Sequence, residues 1–278
     1  MPILHTTTVN PPIFTDQTGR SVTLPHWPPR RIVSLVPSQT ELLHDLGLGA
    51  EVVGITKFCV HPAAWFQTKK RVGGTKTVDI GKVDALKPDL IIANKEENEK
   101  DQVEALAARY PVWISDVRTL GDAIELIREI GMLTHRPEAA LALTNKMEEA
   151  FGAHRPPDGQ RRPRVAYFIW RKPYMIAGGD TFIQAMLREA GFENIFGGRD
   201  RYPEINLDEL SAGQPDVILL SSEPFPFAEK HFGPFREACP EAEIRIVDGE
   251  MFSWYGSRLQ YAPAYFRKLR ESLGLAAD

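Results

Sequence analysis

The sequence predicts an α/β fold of two Rossmann-like lobes with parallel sheets, joined by a long rigid spine helix. Short apolar runs alternate with helical segments in both halves of the 278-residue chain, which is typical of parallel sheets with helices outside. Between the halves, residues 119–154 carry an apolar pattern with helical spacing. We therefore expect an N-terminal lobe at residues 1–118, a linking helix at 119–154 and a C-terminal lobe at 155–278.

The first lobe begins with a predicted hairpin from Ile13 to Leu24, because the sequence DQTG at its centre has a turn composition. A strand of the buried kind follows from Arg30 to Val36 and ends at Pro37. Ser38 has the capping-box spacing to Glu41. The pattern thus predicts a helix from Gln39 to Leu46, ending at Gly47.

The rest of the first lobe continues the alternation. Short apolar runs predict strands and amphipathic runs predict helices, with Lys87-Pro88 closing one helix. In chain order we expect a strand at Val52–Thr56, a helix at Asp79–Leu86, a strand at Asp89–Ala93, a helix at Asp101–Tyr110 and a strand at Val112–Ser115.

The linking segment consists of a shorter helix that leads into a longer one. Leu120, Ile124 and Ile127 recur at helical spacing, and the same period resumes after Pro137. Gly131 and the His-Arg-Pro sequence at 135–137 interrupt the pattern, and Pro137 suits a first helical turn.

The second lobe repeats the organisation of the first. The sequence GQPDVILL parallels LKPDLIIA, since each joins a short helix to a buried strand through Pro-Asp. We expect strands at Arg164–Trp170, Val217–Ser221 and Ile244–Val247, and helices at Asp180–Ala190 (capped by Asp180 or Thr181), Asn206–Ala212 and Pro263–Leu273.

Composition excludes several classes of protein. With 43% hydrophobic and 25% charged residues and a formal charge of −4, the chain has no character of a nucleic-acid or membrane-surface binder. No apolar stretch is long enough to span a bilayer. The first residues lack the basic start and apolar core of a secretory signal peptide, so we expect a cytoplasmic location. Two cysteines, Cys59 and Cys239, do not suggest a disulfide framework.

Two aromatic and cationic clusters are candidate ligand sites. Trp170, Arg171 and Tyr174 follow a buried strand, where α/β sheets face ligand crevices. There Arg171 is suited to pair with a carboxylate. The alternative is that Trp170 packs over the sheet end while Arg171 lies in solvent. Trp254, Tyr255 and Arg258 form the second cluster, for which edge packing is the alternative.

Cys59 and His61 form a close pair with the spacing Cys-x-His. An extended chain places both side chains on the same side, where a thiolate and an imidazole can share a metal ion. Two ligands are too few for a structural zinc site, so other ligands or the bound molecule would have to complete it. The alternative is that Cys59 is a small buried core residue.

Several motifs in order identify a resemblance. They are RIVSLVPSQTELLHDLGLGAEVVGIT, VGGTKTVDIGKVDALKPDLIIA, AGGDTFIQAMLREAGFENIFGG and YPEINLDELSAGQPDVILLSSEP. Across about Arg31 to Leu273 the chain resembles the periplasmic-binding-protein-like receptors of cobalamin, haem and ferric-siderophore importers. Within that family it is most similar to the cobalamin-binding branch.

The resemblance implies a ligand cleft between two α/β lobes and a permease partner. It places a second-lobe aromatic at Tyr202, whereas Asn94 stands where cobalamin receptors have a first-lobe aromatic. Such receptors dock on a permease through one acidic residue in each lobe. The position in the first lobe is Lys100 here, with Glu99 beside it, and the position in the second lobe is Asp208. The pair Glu99 and Asp208 is therefore our docking candidate.

Three functional hypotheses follow. The leading one is a non-catalytic substrate-binding protein of the ABC-importer type, with no intrinsic cofactor, holding a corrinoid or an iron chelate in the interlobe cleft. Its ligand contacts would be Lys57, Trp170, Arg171, Tyr174, Tyr202, Trp254, Tyr255 and Arg258. The second is a cytosolic metal-handling protein or enzyme that uses Cys59 and His61. The third is a cytosolic interaction protein.

Overall fold

A computed structural model describes residues 12–154 and 161–275 of the chain. Within these residues the chain forms two compact units. Unit 1 consists of residues 12–116 and 126–141, and unit 2 consists of residues 117–125, 142–154 and 161–275.

Thirteen strands lie in the described part of the chain. Those of unit 1 are β1 (Ile13–Thr15), β2 (Ser21–Thr23), β3 (Ile32–Ser34), β4 (Val52–Ile55), β5 (Lys70–Arg71), β6 (Leu90–Asn94) and β7 (Val112–Ser115). Those of unit 2 are β8 (Arg164–Trp170), β9 (Tyr174–Ile176), β10 (Glu193–Asn194), β11 (Glu204–Ile205), β12 (Val217–Ser221) and β13 (Glu243–Val247).

The helices follow the strands in alternation. The first six are α1 (Pro37–Asp45), α2 (Ala63–Thr68), α3 (Ile80–Leu86), α4 (Lys100–Ala107), α5 (Leu120–Leu133) and α6 (Pro137–Ala153). The others are α7 (Phe182–Glu189), α8 (Leu207–Ala212), α9 (Gly233–Ala238), α10 (Glu250–Ser253) and α11 (Ala262–Ser272), with single 3₁₀ turns at Glu229–His231 and Ser257–Tyr261.

Unit 1 contains the parallel sheet that the alternation predicts. Its strand order is β5-β4-β3-β6-β7, and every neighbouring pair is parallel. β3 and β6 are buried along their whole length, as strands covered on both faces must be. The order reverses between β3 and β6, which is where open α/β sheets form a crevice at their carboxyl edge.

The sheet of unit 2 is mixed, which the sequence pattern did not predict. Its order is β11-β9-β8-β12-β13, with β10 also paired to β8. β8, β10, β12 and β13 are parallel, but β9 is antiparallel to β8 and β11 is antiparallel to β9. A turn of only three residues after Trp170 reverses the chain, with Lys172 at φ +66°, so β8 leads into a hairpin instead of a loop.

The predicted first hairpin is confirmed, since β1 and β2 pair antiparallel. Asp16 closes the turn because its carboxylate accepts hydrogen bonds from the backbone N–H groups of Thr18 and Arg20, both at 2.9 Å. Such a side chain supplies the acceptor that a tight turn lacks.

The predicted capping box at Ser38 is wrong. Pro37 is already the first residue of α1, and Val36 occupies the cap position without a side-chain hydrogen bond. Proline suits this position because it has no N–H to satisfy and its φ is already helical. Ser38 therefore lies inside the helix, buried, while the predicted end at Gly47 is confirmed by its φ of +77°.

The predicted shorter helix that leads into a longer one is confirmed in the segment 119–154. α5 ends at Leu133 and α6 begins at Pro137, and His135 between them has φ +60°. Thr181 caps α7 as predicted, by accepting a hydrogen bond from the N–H of Gln184 at 3.2 Å. Asn206 and Glu209 form a capping box at the start of α8.

The sharp bend between α5 and α6 depends on Gly131. A Cβ added there would lie 2.3 Å from the Cβ of Ala140 and 3.1 Å from the carbonyl oxygen of Arg136. We expect Gly131→Ala to lower the free energy of unfolding by about 1–3 kcal/mol, the usual cost of overpacking. Urea denaturation followed by circular dichroism measures this change.

Gly121, an exposed glycine of α5, provides the matched control. A Cβ at this position meets only the Thr119 hydroxyl at 3.6 Å, an ordinary contact. Gly121→Ala should leave the free energy of unfolding unchanged or raise it by up to about 1 kcal/mol. Equal effects of the two substitutions would contradict the close contact between Gly131 of α5 and Ala140 of α6.

Candidate functional site

The carboxyl ends of the parallel strands carry most of the candidate residues in each unit. In unit 1 the segments after β4 and β6 begin at Thr56 and Lys95. In unit 2 those after β8 and β12 begin at Arg171 and Ser222. This edge of an α/β sheet is where such folds bind ligands.

Trp170 is the last residue of β8 and keeps 39% of its surface exposed. Its ring meets Phe225 edge-on, with the centroids 5.8 Å apart. The loop that carries Phe225 is tied to β8, because the Phe225 N–H donates to the carbonyl oxygen of Ile169 at 3.3 Å. Trp170 thus packs over the sheet end, as the alternative interpretation held, and still presents an apolar face.

Arg171 begins the turn after Trp170. It is half-buried, whereas the alternative interpretation placed it in solvent. His231 lies in its electrostatic neighbourhood. Burial lowers the pKa of the His231 imidazole, and the positive charges of Arg171 and Lys230 lower it further. Sequence reasoning missed His231, because nothing in the pattern relates it to residues sixty positions earlier.

Tyr174 and Tyr202 are both half-buried, so neither ring is fully exposed to a ligand. The Tyr174 ring packs against Phe168 and Phe235, at 5.8 Å and 5.2 Å between centroids, so it supports the core of unit 2. Tyr202 is half-buried, with the Arg201 guanidinium 6.0 Å from its ring. Their roles as ligand contacts stay predictions.

Trp254 is held in place from two directions. Its indole Nε1 donates to the Glu223 carboxylate at 3.0 Å, and the Ser253 hydroxyl donates to the same oxygen at 2.6 Å. The Arg258 guanidinium lies 5.0 Å from the ring and pairs with Glu250 at 2.8 Å. Because Trp254 is only 7% exposed, it packs at the sheet edge and leaves little face for a ligand.

Tyr255 is also buried. Its ring meets Phe182 edge-on at 5.7 Å, which joins the segment after α10 to α7. The second predicted cluster is therefore mainly packed and ion-paired. The contacts of Tyr255 and Arg258 with a ligand stay predictions, as do those of Trp254.

The loop after β4 presents two exposed apolar side chains, which the sequence reasoning missed. Phe58 is 50% exposed and Val60 is 42% exposed. The Lys57 ammonium lies 5.0 Å from the Phe58 ring centroid. The alternation that places Cys59 inward also places Phe58 and Val60 outward, so the signal was available in the pattern.

The surroundings of Cys59 disfavour a metal ligand. Its thiol is fully buried and lies 3.1 Å from both the Thr40 and Thr56 hydroxyls. Burial raises the pKa of the Cys59 thiol, and the negative charge of Glu97 raises it further. His61 is half-buried. Across residues 12–154 and 161–275, no three or more His, Cys, Asp or Glu side chains are grouped to hold a metal ion.

Asn94, the last residue of β6, stands where cobalamin receptors have an aromatic side chain, and here it forms internal hydrogen bonds. It is buried, and its amide nitrogen donates to the Ser115 hydroxyl at 3.0 Å. Its side-chain oxygen accepts from the N–H groups of Glu96 and Glu97, at 2.8 Å and 2.9 Å. Asn94 thus shapes the loop from within instead of offering a surface to a ligand.

The two predicted docking residues are accessible. Glu99 is exposed and pairs with Lys76 at 3.2 Å. Asp208 is exposed in the first turn of α8. Exposure is what docking on a partner requires, and the docking itself stays a prediction.

Aromatic and cationic side chains at the carboxyl edges of two α/β units define a class of ligand-binding protein. A sequence profile of the family described as "Periplasmic binding protein" matches residues 32–236. The chain therefore belongs to the periplasmic binding protein family.

Similar proteins agree with that membership. The chain is 26% identical over 242 residues to the vitamin B12-binding protein of Pectobacterium carotovorum subsp. carotovorum (strain PC1), covering 84% of this chain and 86% of that protein. The periplasmic vitamin B12 binding protein BtuF of Vibrio cholerae shares the fold, with a TM-score of 0.76 and 20% identity over 89% of this chain and 98% of that chain. The periplasmic heme-binding protein RhuT from Roseiflexus sp. RS-1 has a TM-score of 0.70 and 22% identity, over 85% and 97%.

The expected cytoplasmic location is wrong. The family that the chain belongs to is described as periplasmic, as are the similar proteins of known structure. The expectation rested on the first residues alone, and family membership overrides it in favour of the periplasm or the cell exterior. In the described ranges, no helix combines the length and apolarity needed to cross a bilayer.

Glu223 should give the protein a measurable pH dependence. Burial raises the pKa of this carboxyl above its usual 4.5, and the nearby charge of Glu250 raises it further, whereas the hydrogen bond from Ser253 opposes the rise. A raised folded-state pKa means that Glu223 stabilises the fold fully below pH 4.5 and loses this contribution as the pH rises through the folded-state value. We expect the stability of Glu223→Gln relative to the parent to increase across that window.

Urea denaturation at half-unit steps between about pH 4 and pH 8 measures the difference, at ~1.4 kcal/mol for each unit of pKa displacement. Glu193→Gln, at an exposed glutamate of β10, is the control and should follow the parent. A Glu223→Gln difference that stays constant over the whole pH range would contradict the assignment.

Proposed function

We propose that this chain is the substrate-binding protein of an ABC importer and that it carries a metal-containing chelate. The chelate is a corrinoid such as cobalamin or an iron chelate such as haem or a ferric siderophore. Family membership supports the class of protein, and the names of similar proteins support the class of ligand.

The observation that carries the proposal is the position of Trp170. The tryptophans at 65, 113 and 254 are all less than 9% exposed, whereas Trp27 and Trp170 are 41% and 39% exposed. Of these two, Trp170 lies at the carboxyl end of a central strand, while Trp27 precedes the start of β3. An aromatic face left open at that edge favours a large, flat and partly apolar ligand.

Unit 1 contributes a set of the same kind at its own sheet edge. Phe58 and Val60 are exposed there, and Lys57 lies over the Phe58 ring. We propose that this set contacts the ligand as well. The interlobe position of the ligand, expected from the sequence, stays a prediction.

Binding without chemical change is the function that the reactive groups favour. The Cys59 thiol is buried with a raised pKa, so the thiolate needed for attack or for metal ligation is disfavoured. The Glu223 carboxylate already accepts two hydrogen bonds that position Ser253 and Trp254. These features also weaken the alternative of a metal-handling protein or enzyme that uses Cys59 and His61.

A permease is the partner that this function requires. We propose Glu99 and Asp208 as its docking residues, because both are acidic and exposed on the surface of their units. The importer receives its ligand from outside the cell membrane, which agrees with the location that the family indicates.

The decisive experiment is titration of the purified protein with cyanocobalamin, haemin and a ferric hydroxamate siderophore, followed by calorimetry and visible absorbance. We expect saturable binding of one of them at one site. Trp170→Ala should then weaken that binding about tenfold to a hundredfold, since aromatic anchors supply much of the affinity at such sites.

Trp27→Ala is the matched control, because Trp27 is equally exposed but lies away from the carboxyl ends of the strands. It should bind the same chelate with parent affinity. If the parent binds none of the three chelates, the proposed function is refuted. If Trp170→Ala binds its chelate with parent affinity, Trp170 is not part of the site.

A further inference from the structure

A compact group of aromatic and basic side chains surrounds Phe225 in unit 2. The Phe225 ring meets Trp170 on one side at 5.8 Å and His231 on another at 5.3 Å between centroids. Arg171 follows Trp170 directly and acts on His231 through its charge. We call Trp170, Arg171, Phe225 and His231 the Phe225 cluster.

Arg171 is the unsatisfied member of the cluster. Its Nε is buried and has no hydrogen-bond partner among the residues that the structure describes, and none of the carboxylates in those ranges forms an ion pair with it. Arg199 and Arg258 of unit 2 differ, since Arg199 pairs with Glu209 at 2.6 Å and Arg258 with Glu250 at 2.8 Å. A guanidinium that is half-buried and lacks an anion favours an acidic partner from outside the chain.

His231 adds a second polar side chain beside Phe225. It is 8% exposed, and its Nδ1 accepts a hydrogen bond from the N–H of Ala228 at 3.0 Å. In the neutral imidazole the proton must then be on Nε2, which is the nitrogen left to donate. The exposed side chains of Lys172 and Lys230 flank the pair and increase the positive potential.

We propose that Arg171 and His231 form an anchor for an acidic group of the ligand, a carboxylate or a phosphate, while Trp170 and Phe225 cover its flat apolar part. This inference rests on the proposed function and narrows the ligand to chelates that carry an anionic substituent. Two sources share that chemistry. Haem carries two propionates, and cobalamin carries one phosphodiester that cobinamide lacks.

Arg171→Gln tests the anchor with haemin and cyanocobalamin as probes. We expect the dissociation constant of whichever probe the parent binds to increase about tenfold to a hundredfold, the usual range for losing hydrogen bonds to a charged group. Arg171→Lys should recover part of the loss, because it restores the charge but not the planar fork. His231→Gln should weaken binding less, by several-fold.

The two probes give separate readouts. If cyanocobalamin binds, the parent should bind cobinamide more weakly, and Arg171→Gln should not weaken cobinamide further. If haemin binds, added salt should weaken its binding to the parent more than to Arg171→Gln, because salt screens the attraction between charges. Arg267→Gln, an exposed arginine of α11, is the control and should match the parent with either probe.

Folding of each variant is checked by circular dichroism, and Arg171 lies in the turn between β8 and β9, outside both strands. The anchor is refuted if Arg171→Gln binds within twofold of the parent while Trp170→Ala loses affinity, and in that case the proposed function stands. If the parent binds none of the chelates, both the proposed function and the anchor are refuted.

Discussion

The parallel pairing of β8 with β12 and of β12 with β13 is the constraint on which the candidate site of unit 2 depends. Register aligns Leu220 of β12 with Phe168 of β8 and with Ile246 of β13, so the three strands end at one edge. The side chains that follow them are therefore brought together although they come from residues 170, 223 and 254. The buried strands, tied by a backbone ladder, give these loops a rigid base.

At that edge, two groups of side chains differ in their hydrogen bonds and ion pairs within the protein. Trp254, Arg258 and Glu250 satisfy one another and Glu223, so this group stabilises the edge. Trp170 and Arg171 form a similarly aromatic and basic motif, yet Trp170 keeps an open face and the Arg171 Nε has no hydrogen-bond partner among the described residues. The difference arises from carboxylates at 223 and 250, which reach one cluster and not the other.

Local rules predicted the elements well where the outcome depended on neighbouring residues. Alternating apolar runs located the buried strands, Gly47 ended its helix, and Thr181 capped α7. The predicted cap at Ser38 is wrong because the helix begins at Pro37, two residues earlier than predicted, so the cap position falls on Val36. The hairpin from β8 to β9 was missed, since a three-residue turn containing Lys172 at positive φ carries no glycine signal.

By itself the sequence determined the α/β class, the order of the elements and the aromatic residues at the strand ends, because periodicity and capping act over a few residues. Only the tertiary structure decided which candidate site residues stay accessible to a ligand. It buried Cys59 between two threonines, turned Asn94 inward to shape its loop, and set His231 beside Phe225. Burial and ion pairing join residues that are far apart in the chain, so no local pattern distinguishes Arg171 from Arg258.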